Sequence, residues 1–265
     1  MEAPPASSRW DVMRHLRRTV QYGKKIRNKL KDYYRRKERK IRLSLSNKLY
    51  VSFGENCLTD NILERHNLKL LTTVFSHGRS NVEYVLHLEK DNYSDFLNLD
   101  YLEYEEVSEK MVPRLKKYNS IQNDYHNLHK NGLEFTHHDV IKDENVRAKM
   151  RQRVFNLKKL IGKKKFVIFY HHRVNNATDK DLLIRHLCEL REIYSTEKIK
   201  SEIICFTQKN ISNFDERKVS YSREKEIHFF VFNTMNEWAG DDQEIFWARC
   251  DEDLIKEMVI FAKRI

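Results

Sequence analysis

Short apolar runs set between stretches of three- and four-residue hydrophobic spacing organise most of this chain. Leu49-Tyr50-Val51-Ser52-Phe53 predicts a strand, Gly54-Glu55-Asn56 a tight turn, and residues 57–66 a helix with Leu58, Ile62 and Leu63 on one side. Asn56 suits the helix N-cap, because its side chain can accept a free amide of the first turn. The middle, roughly 80–130, reads as helical and loop-rich, with Tyr84, Val85, Leu88, Phe96 and Leu97 as core candidates. Beyond it the pattern turns regular: a strand at 133–137, a helix at about 144–160 stopping at Gly162, a strand at 166–170 and a helix at about 179–194. Strands at 202–206 and 227–232 and a long helix at about 242–263 complete the series. Continuous apolar strands alternating with helices predict the α/β class, a largely parallel sheet covered by helices on both faces.

A different pattern precedes this domain. Residues 1–8 read as disordered. From Trp10 onward Met13, Leu16, Val20, Ile26, Leu30, Tyr33 and Tyr34 recur at three- and four-residue steps among Lys and Arg. That spacing predicts a basic amphipathic helical arm over 1–47, broken near Gly23, ahead of an α/β domain over 48–265. Charge sharpens the division. The net charge is +11, yet residues 9–42 alone carry 15 Lys and Arg against three acids, and the remainder is near neutral. Such an arm can lie on an anionic membrane surface, or it can be a solvated helix that packs a narrow apolar stripe on its own domain. Without a DNA- or RNA-binding motif, nucleic acid is the weaker reading.

No apolar run exceeds about five residues, where a bilayer span takes roughly 20, and no secretory signal opens the chain. Cys57, Cys188, Cys205 and Cys250 show no CxxC spacing, so a reduced, cytoplasmic setting is expected, peripheral to the inner membrane face if the arm docks there. Six scattered glycines exclude GxGxxG and the P-loop.

Ligands in open α/β sheets gather at the carboxyl ends of the strands. Those ends carry Gly54-Glu55-Asn56-Cys57, His137-His138-Asp139, His171-His172-Arg173 and Asn233, with Asp241 in a later loop. Cys57 in the first turn of a helix faces unpaired N–H groups and the positive dipole end, which favour the thiolate. The same amides, with Asn56, suit a developing oxyanion. His138 is the preferred base and His137 the alternative, since adjacent strand residues point to opposite faces; Asp139, Asn233 or Asp241 would orient it. His171, His172 and Arg173 form a substrate clamp. The other three cysteines read as core. No HxxxH or CxxC spacing supports a metal site, and none is expected.

The run Tyr50-Val51-Ser52-Phe53-Gly54-Glu55-Asn56-Cys57, then Leu63 and Arg65-His66-Asn67-Leu68, resembles the opening motif of a bacterial family labelled putative papain-like cysteine peptidases. That motif is a strand, Ser-x-Gly-x-Asn-Cys and a helix. Phe135, His138 and Asp139, the strand running from Phe166 to Arg173, and Trp238, Gly240, Asp241 and Trp247 are similar to later features of that family. The resemblance covers about 49–262. Where the family shows Pro-Phe-Asp-Trp, this chain has Val74-Phe75-Ser76-His77, which makes His77 a further substrate-binding candidate. The resemblance implies a cysteine hydrolase or transferase with Cys57 and His138 in the leading roles. Its papain-like label implies a helix against an antiparallel barrel, whereas the alternation predicts a parallel sheet. The Gly-x-Asn-Cys turn also resembles capsule-biosynthesis acyltransferases that use coenzyme A thioesters, which would place the chain in surface-polysaccharide assembly on a small-molecule or polysaccharide substrate. Two alternatives stand beside this: a non-catalytic module binding an anionic sugar, nucleotide or phosphate, and a sugar-nucleotide transferase.

Overall fold

The computed structural model describes residues 6–76, 78–107, 109–117, 133–173 and 179–265, with part of the side chains between 6 and 32. The candidate His77 lies outside the described residues. Two compact units divide at Leu45 and Ser46. The first holds α1 (Ala6–Leu45), one uninterrupted helix of 40 residues. The break predicted near Gly23 is absent, and residues 6–8 are helical rather than irregular. One glycine costs a helix only about 1 kcal/mol relative to alanine, and the flanking Lys, Arg and Gln are good helix formers. Among the described residues, no helix is long and apolar enough to cross a membrane.

The second unit begins with β1 (Lys48–Gly54), α2 (Leu58–Arg65) and α3 (Val82–Lys90), followed by β2 (Leu102–Val107), β3 (Lys110–Leu115) and β4 (Leu133–Glu134). Then come α4 (Glu144–Lys158), β5 (Lys165–His171), α5 (Lys180–Ile193), β6 (Glu202–Asn210), β7 (Lys218–Glu224), β8 (Ile227–Thr234), α6 (Gln243–Phe246) and α7 (Glu252–Arg264). The main sheet has the order β1-β5-β6-β8-β7, with the first four strands parallel and β7 antiparallel at the edge. The expected α/β class holds, and a barrel of the papain kind is not what these strands form.

Strand alternation sends the apolar runs to two faces. Tyr50, Val167, Phe169, Ile204, Phe206, Phe230 and Phe232 share one core with Leu58 and Ile62 of α2 and Ile255, Met258 and Val259 of α7. The alternate positions Phe53 and Phe166 meet Tyr194, which follows α5, at ring distances of 5.7 and 5.0 Å. Helices therefore cover both faces, as continuous apolar strands require.

Three expectations fail. The strand at 133–137 is not part of the parallel sheet: only Leu133 and Glu134 pair, antiparallel to β3, in a separate sheet of order β2-β3-β4. Phe135 then donates its amide to Pro113 at 2.8 Å while Thr136 and His137 turn away. The middle region accordingly holds a β-hairpin as well as α3. The C-terminal helix is broken into α6 and α7 at Ala248, whose φ of 52° no helix accommodates.

Candidate active site

The carboxyl ends of β1 and β5 lie side by side, with Gly54 in register with His171. Gly54 has φ +135°, and a Cβ there would sit 2.8 Å from His171 O and 3.0 Å from its N. Only glycine lets the two backbones approach so closely while the chain swings from the strand into the turn.

That turn buries a carboxylate which the sequence reading passed over. Glu55 is fully buried. His172, equally buried, donates Nδ1–H to Oε1 at 2.8 Å, the Arg173 amide donates to Oε2 at 2.7 Å, and the Tyr170 hydroxyl reaches Oε1 at 3.5 Å. A buried charge survives only when paired and hydrogen-bonded, and these three partners come from the neighbouring strand end. His172 thus serves as an anchor beneath the rim rather than as part of a clamp. A Glu between Gly54 and Asn56 facing two histidines was the available signal.

The next residue links the turn to β5 a second time. Asn56 Oδ1 accepts from Leu58 N at 3.1 Å, so it does take an amide of the first helical turn as expected, although the N-cap position itself is Cys57. The same oxygen lies 3.2 Å from His171 Nδ1. An oxygen that already accepts one proton identifies Nδ1 as the protonated nitrogen of His171. Burial drives this imidazole's pKa down to about 3, Glu55 opposing and Arg173 and His172 adding, so the ring is neutral. It stacks on Phe206 at 4.8 Å and 15°. His171, too, is therefore a structural part of the rim.

Cys57 is half-buried and follows directly. Burial pushes its thiol up; its own backbone N–H and Arg79 pull it down, and Asp60 adds to the rise. The expected stabilised thiolate is thus not the resting form, because desolvation outweighs the helix start. Asp60, one turn on, is buried against Lys69 at 2.5 Å and accepts from Ser52 at 3.2 Å.

Two clefts, enclosing about 1330 and 880 Å³ of open space with solvent included, share Cys57. Cys57, His137 and Trp247 line both. The larger also has Asn56, Arg79, Lys110, Arg173, Trp238 and Asp241 on its walls, and the smaller has Asp60, Lys69 and His138. The walls are firmly held. Arg65 at the end of α2 donates to the Trp247 carbonyl at 2.6 Å, fixing the turn between α6 and α7 beside Cys57. Trp238 donates Nε1–H to Asp251 at 2.9 Å and packs on Phe232 at 5.2 Å.

The two candidate bases differ in their surroundings. His138 Nε2 is 3.3 Å from Arg153 Nη1, and since a guanidinium only donates, that nitrogen carries the lone pair and spends it there. Asp139 was expected to orient an imidazole. It accepts instead from Tyr104 at 2.8 and 2.9 Å and from the amides of Ile141 and Lys142 at 3.2 and 3.0 Å. Burial works against its charge, but the bonds from Lys142, Tyr104 and Ile141 prevail and hold its pKa below the usual carboxylate range. Asn233 donates to Glu216 O at 3.4 Å, at the β7 edge of the sheet. All four cysteines are free thiols; Cys205 is buried as expected, but Cys250 is exposed beside Asp251, with its thiol raised to about 11. Among the described residues, no three His, Cys, Asp or Glu side chains gather as metal ligands.

Fold and rim together define an α/β protein with a thiol at the head of a helix, set at the carboxyl edge of a parallel sheet and sharing its clefts with a histidine. The chain belongs to the family described as "putative papain-like cysteine peptidase", which matches residues 48–211, from β1 to the end of β6. No curated protein and no solved structure matches it at a significant level.

Proposed function

We propose that the chain is a cysteine-nucleophile enzyme that cleaves or transfers an acyl group, with Cys57 as nucleophile and His137 as its base. The observation that carries this reading is that Cys57 and His137 line both clefts. His137 is preferred to His138 because it lines both clefts, whereas His138 lines the smaller one alone. With the thiol protonated at rest, its proton must pass to a base for the sulfur to attack. As Sγ bonds to the substrate carbonyl carbon, its proton passes to the imidazole and the carbonyl oxygen takes the charge. Collapse of that adduct breaks the bond to the leaving group, which departs with the imidazolium proton and leaves a thioester on Cys57. Water or an acceptor nucleophile then releases the acyl group. Leu58 N–H is occupied by Asn56 Oδ1, so the oxyanion would draw on the Asn56 NH₂ and the other amides of the first turn.

Acylation of Cys57 by p-nitrophenyl acetate, followed by the mass of the Cys57 peptide, tests this. The acetyl adduct should form on wild-type protein and slow about 100-fold in His137→Ala, with a change below about threefold in His138→Ala. Absence of the adduct, or equal rates in wild type and His137→Ala, overturns the assignment.

A further inference from the structure

The walls of the larger cleft carry a charge imbalance. Arg79, Lys110 and Arg173 line it together with His137, and Asp241 is the one acid among its described lining residues. These cations come from three separate places: Arg79 from the segment bridged to Glu134, Lys110 from the tip of the β2–β3 hairpin, and Arg173 from the end of β5. Converging cations from unrelated segments are not the solvated charge run of a single helix face. One of them has a partner of the kind that exchanges readily: Arg173 Nη2 meets Glu237 at 2.9 Å, but that carboxylate is mostly exposed. Arg79 Nη1 is 3.7 Å from buried Glu134, beyond a good hydrogen bond. The Arg173 backbone, by contrast, is tied to buried Glu55, so the guanidinium springs from a fixed point. Trp238, Phe246 and Trp247 supply an aromatic surface alongside, and Gly240 leaves its side of the opening uncrowded, with no atom within 4 Å of where a Cβ would be.

We propose that the larger cleft binds the anionic group of the substrate, a carboxylate or phosphate, between Arg79, Lys110 and Arg173, presenting the rest of the molecule to Cys57. This rests on the assignment of Cys57 as the reacting atom and adds to it the class of molecule received. A cleft of one charge sign with low-dielectric walls concentrates its counter-ion and raises the on-rate about 10- to 1,000-fold.

Alkylation of Cys57 by iodoacetate and iodoacetamide, which differ chiefly in charge, tests the proposal without requiring turnover. The ratio of the two rates, read on the Cys57 peptide and divided by the same ratio in denatured protein, cancels the reactivity of the thiol itself. It should be at least about 10 in wild type and fall to within about twofold of unity in Lys110→Gln/Arg173→Gln. Inorganic phosphate and succinate, added separately, should each slow the iodoacetate reaction if the cleft takes the corresponding group, and the stronger protectant identifies the source. A wild-type ratio near unity, or one unchanged in the double variant, overturns the anion site even if p-nitrophenyl acetate acylates Cys57. A raised ratio without acylation keeps the anion site and removes the nucleophile.

Discussion

Replacing Glu55 with glutamine is a near-isosteric change at a position sealed from solvent. One carboxylate oxygen becomes an NH₂ that must face either His172 Nδ1–H or the Arg173 amide, donor against donor, where bonds of 2.8 and 2.7 Å stood. A hydrogen bond to a charged acceptor contributes about 1.5–3 kcal/mol, and a buried donor left unmade costs about 1–3 kcal/mol. His172 can relax its tautomer and recover part of this, so Glu55→Gln should destabilise by roughly 3 kcal/mol. In a folded unit of about 150–250 residues one kcal/mol moves Tm by roughly 2–4 °C, which gives a fall of about 6–12 °C. Scanning calorimetry of wild type, Glu55→Gln, His172→Asn and the double variant provides the measurement. Glu237→Gln, which removes only the exposed partner of Arg173, should shift Tm by less than about 2 °C. A fall of under about 2 °C in Glu55→Gln, or single effects that add within about 0.5 kcal/mol in the double variant, would refute the coupled pair.

Two other perturbations follow from the same rim. Gly54→Ala sets a side chain at φ +135° against the His171 backbone; it should cost more than the roughly 1–3 kcal/mol of backbone strain alone, and a urea midpoint within error of wild type would show that the strands can part there. His171 is buried neutral, its pKa lowered from 6.5 to about 3, so between those values the unfolded chain binds a proton that the folded one does not. Stability is therefore full above about pH 6.5 and drains as pH falls toward 3, by roughly 2 kcal/mol on going from pH 7 to pH 5. His171→Phe should flatten that part of the urea-midpoint profile, and an equal slope in the variant would exclude this ring as the source.

The parallel sheet was legible because Leu49 to Phe53, Phe166 to Tyr170 and Ile227 to Phe232 are apolar on both faces, a pattern surface elements do not show. The small sheet was not: Leu102–Val107 reads Leu-Glu-Tyr-Glu-Glu-Val and is half exposed, and β3 carries Pro113. Edge strand β7, Lys-Val-Ser-Tyr-Ser-Arg-Glu, hides for the same reason. Cys57 stood out through its glycine-bearing turn, and the histidine pairs through their density. Strand parity could not choose between His137 and His138, because β4 ends at Glu134 and parity has no meaning in the turn beyond it. Glu55 was missed because an acid in a tight turn is ordinarily a solvated residue; its burial follows from the register of β1 on β5, a long-range fact. The thiol's raised pKa is likewise a matter of packing, invisible to an argument from the helix dipole alone.

The family match ends at residue 211, part-way across the sheet. Strand β8, the α7 lid over Phe206 and Phe230, and the tryptophans walling the sulfur all lie downstream. Cut at that boundary, the recognisable stretch would leave β6 paired on one edge alone and uncover the face that Phe206 shares with α7.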